Sequence, residues 1–307
     1  MIKLTLKKAI YALLCLTLIA GCSDEAINAT SPKNKAEKKI AVLIVNHGSV
    51  SEKWRNMLTD VETSVRDELL SNPKVGDVKT AFMEYTEPSI ATQMKAFDKA
   101  GYDEVVVVPL FLTVSSHSLS DIPNILGINA DPKVLETLAK EKIEIYRAKA
   151  RVTISPTLDF TTLLKKNLLR RVKALSDGSG NEGLVMVAYG DKDYNQQWEE
   201  MMDEIGRFLK IKLDIDTVAY AWCGHLVNYS TEPTEKAIEE VFKLEDKVLV
   251  VPLLVAFDPY FQIKIIETAT KNVENSQNVK YKPDAILPDE NLNQWIIDIS
   301  NKVISTL

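Results

Sequence analysis

The feature that most restricts the fold of this chain is an order of apolar strands and amphipathic helices that occurs twice. In the first half, strands are predicted near Ile40–Asn46, Val78–Glu84, Glu104–Phe111 and Ile143–Ile154. Helices are predicted near Glu52–Leu70, Pro88–Ala100, Leu119–Leu126, Pro132–Lys140 and Leu158–Leu175. Strands that alternate with helices of this length form parallel sheets with helices on both faces.

The second half of the chain follows a Gly- and Ser-rich linker at residues 176–183 and restates the same order. The run from Lys247 to Pro252 echoes the run from Glu104 to Pro109, and Trp198 echoes Trp54. A period this long indicates duplicated domains rather than a solenoid. We therefore predict an α/β protein with two similar parallel-sheet lobes, residues 40–176 and 184–307, which face each other across a cleft.

The first 39 residues are predicted to lie outside the fold. An apolar stretch from Ala9 to Ile19 follows three lysines and is too short to span a bilayer. It leads into Leu18-Ile-Ala-Gly-Cys22, which resembles a bacterial lipoprotein signal. We predict a signal peptide at 1–21, acylation of Cys22 and a polar tether at 22–39, so that the protein is exported and lipid-anchored to a bacterial membrane. An ordinary secretory signal and an uncleaved anchor helix are the alternatives.

Charge and cysteine content exclude several classes of protein. Residues 1–21 hold three lysines and no acidic residue, so their removal changes the formal net charge from −6 to −9. A chain without a basic surplus is not expected to bind nucleic acid. Once Cys15 has left with the signal and Cys22 is acylated, Cys223 is the one remaining thiol. Stability must then come from core burial rather than from an internal disulfide.

Two histidines mark a site in the first lobe. His47 and His117 each follow a strongly apolar strand. The carboxyl ends of strands in open α/β sheets are where ligands bind, so the two imidazoles are expected to converge on one ion or one acidic proton. At the corresponding positions the second lobe has Tyr189 and Tyr260. This contrast predicts a single working site in the first lobe and a degenerate site in the second.

Glu84 is the carboxylate that we assign to this site, because it ends the predicted second strand. Glu87 is a weaker candidate and is more typical of a residue that caps the following helix. Asp121 could orient an imidazole or cap a helix. Two histidines and one glutamate supply donors suited to Co²⁺, Ni²⁺, Fe²⁺ or Zn²⁺ and ill suited to Ca²⁺.

The second lobe contributes aromatic residues to the predicted cleft. Tyr189, Tyr229 and Tyr260 are expected to line the wall opposite the histidines, where flat rings suit a flat ligand. His225 lies in Cys223-Gly-His225, which could bind a metal or haem, or could be a loop without a ligand role. No phosphate-binding loop, dinucleotide fingerprint or nucleophile elbow occurs, so no nucleotide cofactor is expected.

Three motifs in the first lobe closely resemble the class II tetrapyrrole chelatases, the family of the sirohydrochlorin cobaltochelatases and ferrochelatases. They are Val45-Asn-His47-Gly-Ser49, Ala81-Phe-Met-Glu84-x-x-Glu87-Pro-Ser89, and Val107-Val-Pro-Leu-Phe-Leu112 leading to His117 and Asp121. The resemblance is specific over residues 40–126 and extends to 184–307 only as a repeat of the fold. Exported members of this family are unusual, and Val50 follows Ser49 where the family often has a basic residue.

The resemblance implies two tandem flavodoxin-like lobes that hold a macrocycle between them. It implies that His47, His117 and Glu84 bind the metal and carry the catalysis, while Ser49, Tyr189, Tyr260 and His225 are assigned to the tetrapyrrole wall. The implied reaction is insertion of a divalent first-row metal into a tetrapyrrole such as sirohydrochlorin without ATP. Co²⁺ is favoured, with Fe²⁺ and Ni²⁺ as alternatives. The metal is a substrate here.

Two other functions are left open by the residues. The first is a non-catalytic lipoprotein that binds a metal ion, haem or another tetrapyrrole on a chelatase fold. The second is a structural protein on the same scaffold, which the retention of both histidines and Glu84 disfavours. The expected partners are a tetrapyrrole and, through the lipid anchor alone, a membrane. A homo-oligomer is left open.

Overall fold

The computed structural model describes residues 38–158 and 160–307, which contain both predicted lobes. The predicted signal peptide (1–21), the lipidation site Cys22 and residues 22–37 of the predicted tether lie outside the described residues. Within the described part of the chain, no helix combines the length and apolar character that a membrane span requires.

Two four-stranded parallel sheets form the framework of the protein. The first sheet has the order β2-β1-β3-β4 and consists of β1 (Ile40–Asn46), β2 (Val75–Phe82), β3 (Glu104–Pro109) and β4 (Arg151–Ile154). The second has the order β6-β5-β7-β8 and consists of β5 (Glu182–Ala188), β6 (Val218–Trp222), β7 (Lys247–Leu253) and β8 (Val279–Tyr281). The identical strand orders confirm the duplicated α/β fold, and the 2-1-3-4 order is that of a flavodoxin-like sheet.

The helices connect these strands in the predicted order. They are α1 (Glu52–Leu70), α2 (Ile90–Lys99), α3 (Ile122–Ile125), α4 (Pro132–Lys140), α5 (Lys165–Leu175), α6 (Asn195–Leu213), α7 (Glu232–Phe242), α8 (Thr268–Asn272) and α9 (Glu290–Ile304). Short π-helical segments precede α3, α5 and α8, at His117–Asp121, Phe160–Leu164 and Tyr260–Glu267. Two of these segments begin at residues that the sequence analysis assigned to the site, His117 and Tyr260.

One apolar core joins the two lobes. Side chains alternate between the two faces of a strand, so Val42 and Ile44 of β1 face one way while Leu43 and Val45 face the other. The first pair belongs to a central cluster that also contains Met186 of β5 and other residues of the second lobe. The second pair packs in a cluster made by the first lobe alone. The described residues from 38 onward accordingly form a single compact unit.

The last helix of each half packs against the sheet of the other half. Helix α5 contacts β7 and α6, and α9 contacts β3 and α1. Polar contacts accompany this exchange: the Asn167 side-chain amide donates to the carboxylate of Asp289 at 2.7 Å, and the Asn72 amide donates to Asn301 at 2.9 Å. Each half of the sequence therefore contributes its last helix to the lobe built around the other sheet. This exchange of helices holds the two lobes together on either side of the cleft.

The fourth strand of the first sheet is much shorter than the predicted strand Ile143–Ile154. It begins at Arg151, because the preceding segment binds a side chain instead of a neighbouring strand. The Asp98 carboxylate at the end of α2 accepts hydrogen bonds from the Tyr146 hydroxyl at 2.8 Å and from the backbone N–H groups of Lys149 and Ala150. Helix α2 likewise starts at Ile90 rather than at Pro88, since Ser89 is its N-cap.

Candidate functional site

His47 and His117 lie together at the carboxyl edge of the first sheet. His47 directly follows β1, and His117 begins the π-helical segment after β3. Because β1 and β3 are hydrogen-bonded neighbours, their ends bring the two side chains to the same place. The imidazole centroids are 4.7 Å apart and the rings meet edge to face. The predicted convergence of these histidines is therefore present in the structure.

Glu84 reaches the same point from the other neighbour of β1. It follows β2, and its Oε1 lies 4.0 Å from Nε2 of His47. Its backbone N–H donates to the carbonyl of His47 at 2.8 Å, which ties the two loops together. This close approach requires Gly48, whose φ is +106° and whose absent Cβ would lie 2.0 Å from the carbonyl oxygen of Glu84.

The side chains of His47, Glu84 and His117 can supply three ligands to one metal ion. One potential ligand atom from each residue lies within 4.8 Å of the others. Two donors on opposite sides of an ion stand about 4 Å apart, since bonds to nitrogen and oxygen are ~2.0–2.2 Å. Small side-chain rotations would therefore bring all three donor atoms within bonding distance of one ion. Among the residues described by the structure, this is the one cluster of its kind.

The surroundings of His47 and His117 shift their pKa values in opposite directions. Burial lowers the pKa of His47, and the neighbouring His117 lowers it further. Burial also opposes the charged form of His117, but the hydrogen bond and charge of Asp121 outweigh it and raise the pKa of His117. At neutral pH the His47 imidazole is therefore neutral, whereas His117 holds a proton more readily.

Hydrogen bonds indicate which nitrogen of each ring is free. Nδ1 of His117 lies 2.7 Å from Oδ2 of Asp121, and Nδ1 of His47 lies 3.0 Å from the carbonyl oxygen of Gly48. Both acceptors favour a proton on Nδ1, which leaves Nε2 of each ring available to a metal ion or a proton. Asp121 thus orients an imidazole, and its side chain makes no hydrogen bond that caps α3.

Two further carboxylates surround His117 and were missed by sequence reasoning. Asp191 of the second lobe is buried and accepts a hydrogen bond from the backbone N–H of Ser116 at 3.3 Å. Glu141 ends α4, and burial together with the charges of Glu84 and Asp121 raises the pKa of its carboxyl. Both residues lie far from His117 in the sequence, and no motif links them to it.

Glu87 does not belong to the cluster. Its Oε2 accepts a hydrogen bond from the backbone N–H of Ser89 at 2.6 Å, immediately before α2. That bond is the main cause of the lowered pKa of this carboxyl. The position fits the helix-capping role that the sequence favoured for Glu87.

A cavity of about 490 Å³ opens between the lobes beside the histidines. This volume is typical of a small-molecule site, for which the range is about 300–1,000 Å³. The sequence-predicted wall residues Ser49, Tyr189, His225, Tyr229 and Tyr260 all line it, together with His47 and His117. Further aromatic side chains that line the cavity are Trp54, Tyr85, Phe111, Trp198 and Phe261. The cavity therefore has the paired imidazoles of the first lobe, the single imidazole of His225 from the second lobe, and flat rings from both.

The rings contributed by the second lobe form a connected network. The hydroxyl of Tyr189 lies 3.3 Å from Nδ1 of His225 and 3.4 Å from the hydroxyl of Tyr229. Phe261 packs edge to face with Tyr189 at a centroid distance of 5.6 Å and with Tyr260 at 5.4 Å. These contacts link the rings of the wall to one another.

Cys223 takes no part in this wall. Its side chain is buried in an apolar cluster on the other side of the second sheet, and the thiol does not line the cavity. Burial raises its pKa to about 12, so it stays protonated at neutral pH. A joint metal site of Cys223 and His225 is therefore not formed, and His225 contributes to the cavity alone.

Two hydrogen bonds between the lobes flank the cavity. The hydroxyl of Ser49 donates to Oδ2 of Asp258 at 2.8 Å, and the hydroxyl of Ser116 donates to Oδ2 of Asp191 at 3.4 Å. In each pair a serine of the first lobe binds an aspartate of the second. Ser49 therefore positions a loop of the cavity as well as lining it.

Tyr85 lies beside His47, Glu84 and His117, and the sequence analysis did not select it. Its ring centroid is 5.9 Å from that of His47, and its side chain is 66% exposed at the edge of the cavity. Its φ of +66° is uncommon for a bulky residue. Burial and the adjacent Glu84 raise the pKa of its hydroxyl to about 12. The hydroxyl is therefore a neutral hydrogen-bonding group.

Comparison with known sequences places these features in a family. The CbiX family model matches residues 41–175. The sirohydrochlorin cobaltochelatase of Saccharolobus solfataricus is 31% identical over 133 residues, which are 43% of this chain and 93% of the relative. The sirohydrochlorin cobaltochelatase of Methanopyrus kandleri is 33% identical over 95 residues, which are 30% of this chain and 62% of the relative. These matches centre on the lobe that carries the histidines.

Solved structures show the same fold over both lobes. The sirohydrochlorin chelatase SirB of Bacillus subtilis subspecies spizizenii, in complex with cobalt, superposes with a TM-score of 0.60 at 18% identity. The match covers 86% of this chain and 94% of that one. SirB of Bacillus subtilis with Fe³⁺ superposes with a TM-score of 0.63 over 86% of this chain and 95% of that one, also at 18% identity.

Proposed function

The chain belongs to the CbiX family of sirohydrochlorin chelatases, and from that premise we propose that it inserts a divalent metal ion into a tetrapyrrole held between its lobes. The observation that carries this proposal is the arrangement of the donor atoms of His47, Glu84 and His117. They lie within 4.8 Å of one another, and both histidines face a cavity of about 490 Å³ lined with aromatic rings. One site therefore offers metal ligands next to a surface suited to a flat macrocycle.

The donor set favours a first-row metal. Imidazole and carboxylate suit Co²⁺, Fe²⁺ and Ni²⁺, whereas Ca²⁺ and Mg²⁺ prefer oxygen ligands alone. We place Co²⁺ first, because relatives similar in sequence are cobaltochelatases by name. Fe²⁺ and Ni²⁺ remain alternatives. Three protein ligands leave coordination positions open, so a metal bound here as substrate can exchange its remaining ligands for the nitrogens of the ring.

Proton transfer is the chemistry that the histidines add. Two pyrrole N–H protons must leave the macrocycle as the metal enters. Nε2 of His117 is free, and Asp121 at 2.7 Å from Nδ1 stabilises the imidazolium that forms when Nε2 accepts a proton. His47, with its lowered pKa, stays neutral and keeps its lone pair for the metal. His117 therefore serves as the base for one proton once the ring nitrogens have displaced it from the ion, and solvent accepts the second proton. His47 and Glu84 hold the ion meanwhile.

The reaction as proposed needs no nucleotide. Placing the ring and the ion against each other in one cavity makes the exchange effectively unimolecular, which supplies much of the rate enhancement. The sequence carries no phosphate-binding loop or dinucleotide fingerprint, which supports this part of the proposal.

We also propose that the enzyme acts outside the cytoplasm, anchored by lipid at Cys22. Support comes from the sequence alone: three lysines, a short apolar stretch and Leu18-Ile-Ala-Gly-Cys22. Cys22→Ala should abolish incorporation of radiolabelled palmitate and release the protein from the membrane fraction. Cys15→Ala is the matched control, since this cysteine lies in the segment that is removed. Unchanged labelling of Cys22→Ala would reject the anchor without affecting the chemistry of the cleft.

The test of the activity is an anaerobic absorbance assay. The purified protein is mixed with sirohydrochlorin and Co²⁺, and then with Fe²⁺ and with Ni²⁺. A double variant, His47→Ala with His117→Ala, is the control. We expect metal insertion over many turnovers, faster than in the control, with the greatest rate for Co²⁺.

Two other results would change the conclusion. A spectral change that saturates at one equivalent of metal or ring, without turnover, would identify a tetrapyrrole-binding or metal-binding lipoprotein on a chelatase fold. A rate equal to that of the double variant, with no binding of either component, would reject the proposed function.

A further inference from the structure

Two tyrosines of the cavity have a backbone conformation that is uncommon for their residue type. In the described part of the chain, six residues other than glycine have a positive φ. Three of them are asparagine or aspartate, which tolerate the left-handed conformation, and a fourth is Lys142. The other two are Tyr85, with a φ of +66°, and Tyr229, with a φ of +57°. Both tyrosines line the cavity, whereas Lys142 does not.

The two tyrosines come from opposite lobes and approach each other at the opening of the cavity. Tyr85 follows β2 of the first sheet, and Tyr229 follows β6 of the second. Burial is the main cause of the raised pKa of the Tyr85 hydroxyl, and Tyr229 contributes to it. An electrostatic effect between two hydroxyl groups requires that they lie near each other. The side chains of Tyr85 and Tyr229 are 66% and 40% exposed, which places them at the solvent side of the cavity.

The two side chains are supported to different degrees. The hydroxyl of Tyr229 lies 3.4 Å from that of Tyr189, and its ring packs edge to face with the ring of Tyr260 at a centroid distance of 5.9 Å. Tyr85 makes one ring contact among the described residues, with His47 at 5.9 Å. Tyr229 is therefore a fixed surface, and Tyr85 is a side chain with room to rotate onto a ligand.

An exposed phenol on a strained backbone is typical of a residue that contacts a ligand. Residues held in sparsely populated φ/ψ regions cluster at active sites and ligand clamps, where the surrounding structure maintains them. A tyrosine also offers a large flat contact surface with only two side-chain torsions to order, so its immobilisation loses little entropy. Asparagine would relieve the strain at both positions but would remove this surface.

We propose that Tyr85 and Tyr229 clamp the tetrapyrrole between the lobes and thereby set how long the ring stays beside the paired histidines. The inference deepens the proposed function and rests on it, because it assigns two positioning residues for the ring. Tyr229 supplies the fixed surface, and Tyr85 rotates onto the bound ring. Stacking on a π-face does not depend on the acidic substituents at the edge of the ring, so the clamp suits a polycarboxylate such as sirohydrochlorin.

The test is stopped-flow fluorescence of the full-length protein with metal-free sirohydrochlorin under anaerobic conditions. Trp54 and Trp198 line the cavity, so a bound ring should quench their emission. The observed rate plotted against ring concentration gives the association rate constant as its slope and the dissociation rate constant as its intercept. We expect Tyr85→Asn to raise the dissociation rate constant about tenfold and to change the association rate constant less than about threefold. Tyr85→Phe keeps the ring and should release sirohydrochlorin nearly as slowly as the unaltered protein.

Asparagine separates a clamp from a residue that serves only the fold of its loop. It removes the phenol but accepts the left-handed backbone. Tyr85→Asn should therefore unfold at the same temperature as the unaltered protein or at a higher one, although it releases the ring faster. A purely structural tyrosine would give the reverse, with lower thermal stability and unchanged release. Lys142→Asn is the matched control, since Lys142 has a φ of +60° and does not line the cavity, and its rate of release should not change.

A double variant tests whether the two tyrosines act together. If they hold the ring as a pair, either Tyr85→Asn or Tyr229→Asn opens the clamp, and the double variant should release the ring little faster than the single variants. Increases that multiply in the double variant would show two independent contacts and would reject the clamp.

The outcomes separate this inference from the proposed function. Sirohydrochlorin that binds to Tyr85→Asn and leaves it at the rate of the unaltered protein would overturn the inference and leave the tetrapyrrole site intact. Failure of the unaltered protein to bind sirohydrochlorin would reject the tetrapyrrole site itself. Faster release in both single variants, without multiplication in the double variant, supports both.

Discussion

The two lobes share one scaffold but place opposite chemistry at their strand ends. The backbone N–H of Glu84 donates to the carbonyl of His47 at 2.8 Å, and that of Gly224 donates to the carbonyl of Tyr189 at 3.0 Å. These bonds make Gly224 the counterpart of Glu84. The second lobe therefore lacks the carboxylate as well as the imidazole. The ring of Tyr189 occupies the space over Gly224, where an added Cβ would lie 2.7 Å from it.

The segments after β3 and β7 show the same contrast. Both become π-helical, one beginning at His117 and the other at Tyr260. Four residues later the first lobe has Asp121, which binds His117, and the second has Lys264, whose ammonium lies over the ring of Tyr260. The difference teaches that duplication preserved the backbone while the side chains diverged. The first lobe gathers His47, Glu84 and His117 at one point, and the second lobe places rings at the positions that correspond to the two histidines.

The largest effect is expected when His117, the proposed base of the first lobe, is removed. This variant tests whether the chemistry belongs to the first lobe alone. We expect His117→Ala to reduce metal insertion at least ~100-fold, the lower part of the range for loss of a general base, while the fold persists. His117 is only half-buried at a strand end, so its truncation leaves the core intact. Steady-state rates and thermal unfolding measure the two effects.

The matched control is the counterpart of His117 in the second lobe. Tyr260→Ala should alter ring affinity and leave the capacity to bind Co²⁺ unchanged. Comparable loss of metal binding in both variants would contradict the assignment of the metal to one lobe.

Removing the carboxylate that we propose as a ligand should have the next largest effect. Glu84→Gln retains the size of the side chain but offers a neutral oxygen, so we expect Co²⁺ to bind about 10–100-fold more weakly. Titration calorimetry with the metal alone measures this. Glu87→Gln is the control, because Glu87 binds the backbone of Ser89 and lies outside the cluster. Equal affinities in the two variants would remove Glu84 from the ligand set.

The pH dependence tests the pair formed by His117 and Asp121. The proposed reaction requires a neutral imidazole at His117, so the rate should rise with pH through the pKa of that residue. Asp121 raises this pKa, which places the acidic limb at a higher pH than an unperturbed histidine would give. In Asp121→Asn the limb should move to lower pH, and the maximal rate should fall because the imidazolium is less stabilised. If the acidic limb of the pH–rate profile of Asp121→Asn lies at the same pH as before, a group other than His117 controls that limb.

The smallest effects are expected in the wall of the second lobe. Tyr189→Phe and Tyr260→Phe remove a hydroxyl each while keeping the ring, so tetrapyrrole affinity should fall roughly two- to tenfold. Metal affinity should change less. Fluorescence titration of the ring and calorimetric titration of Co²⁺ give the two values for each variant. Unchanged ring affinity in both would remove the second lobe from the binding wall.

Much of the fold was predictable because it depends on local pattern. Helix α1 at Glu52–Leu70, helix α4 at Pro132–Lys140 and strand β1 at Ile40–Asn46 have the predicted bounds. Each has a continuous apolar run or a helical period with clear end signals. The predicted strand at Ile143–Ile154 was mostly wrong, since Asp98 binds this segment from a distance of about fifty residues along the chain. Alternation alone cannot reveal such a partner.

The sequence by itself determined the duplicated α/β order, the two histidines at strand ends and the tyrosines that replace them in the second lobe. Only the tertiary structure decided what surrounds them. It brought Asp191 and Glu141 to His117, set Gly224 opposite Glu84, and packed α5 and α9 on the sheets of the opposite halves. The physical reason is that periodicity specifies which face of an element is buried, whereas the partner of that face depends on packing between segments distant in the chain.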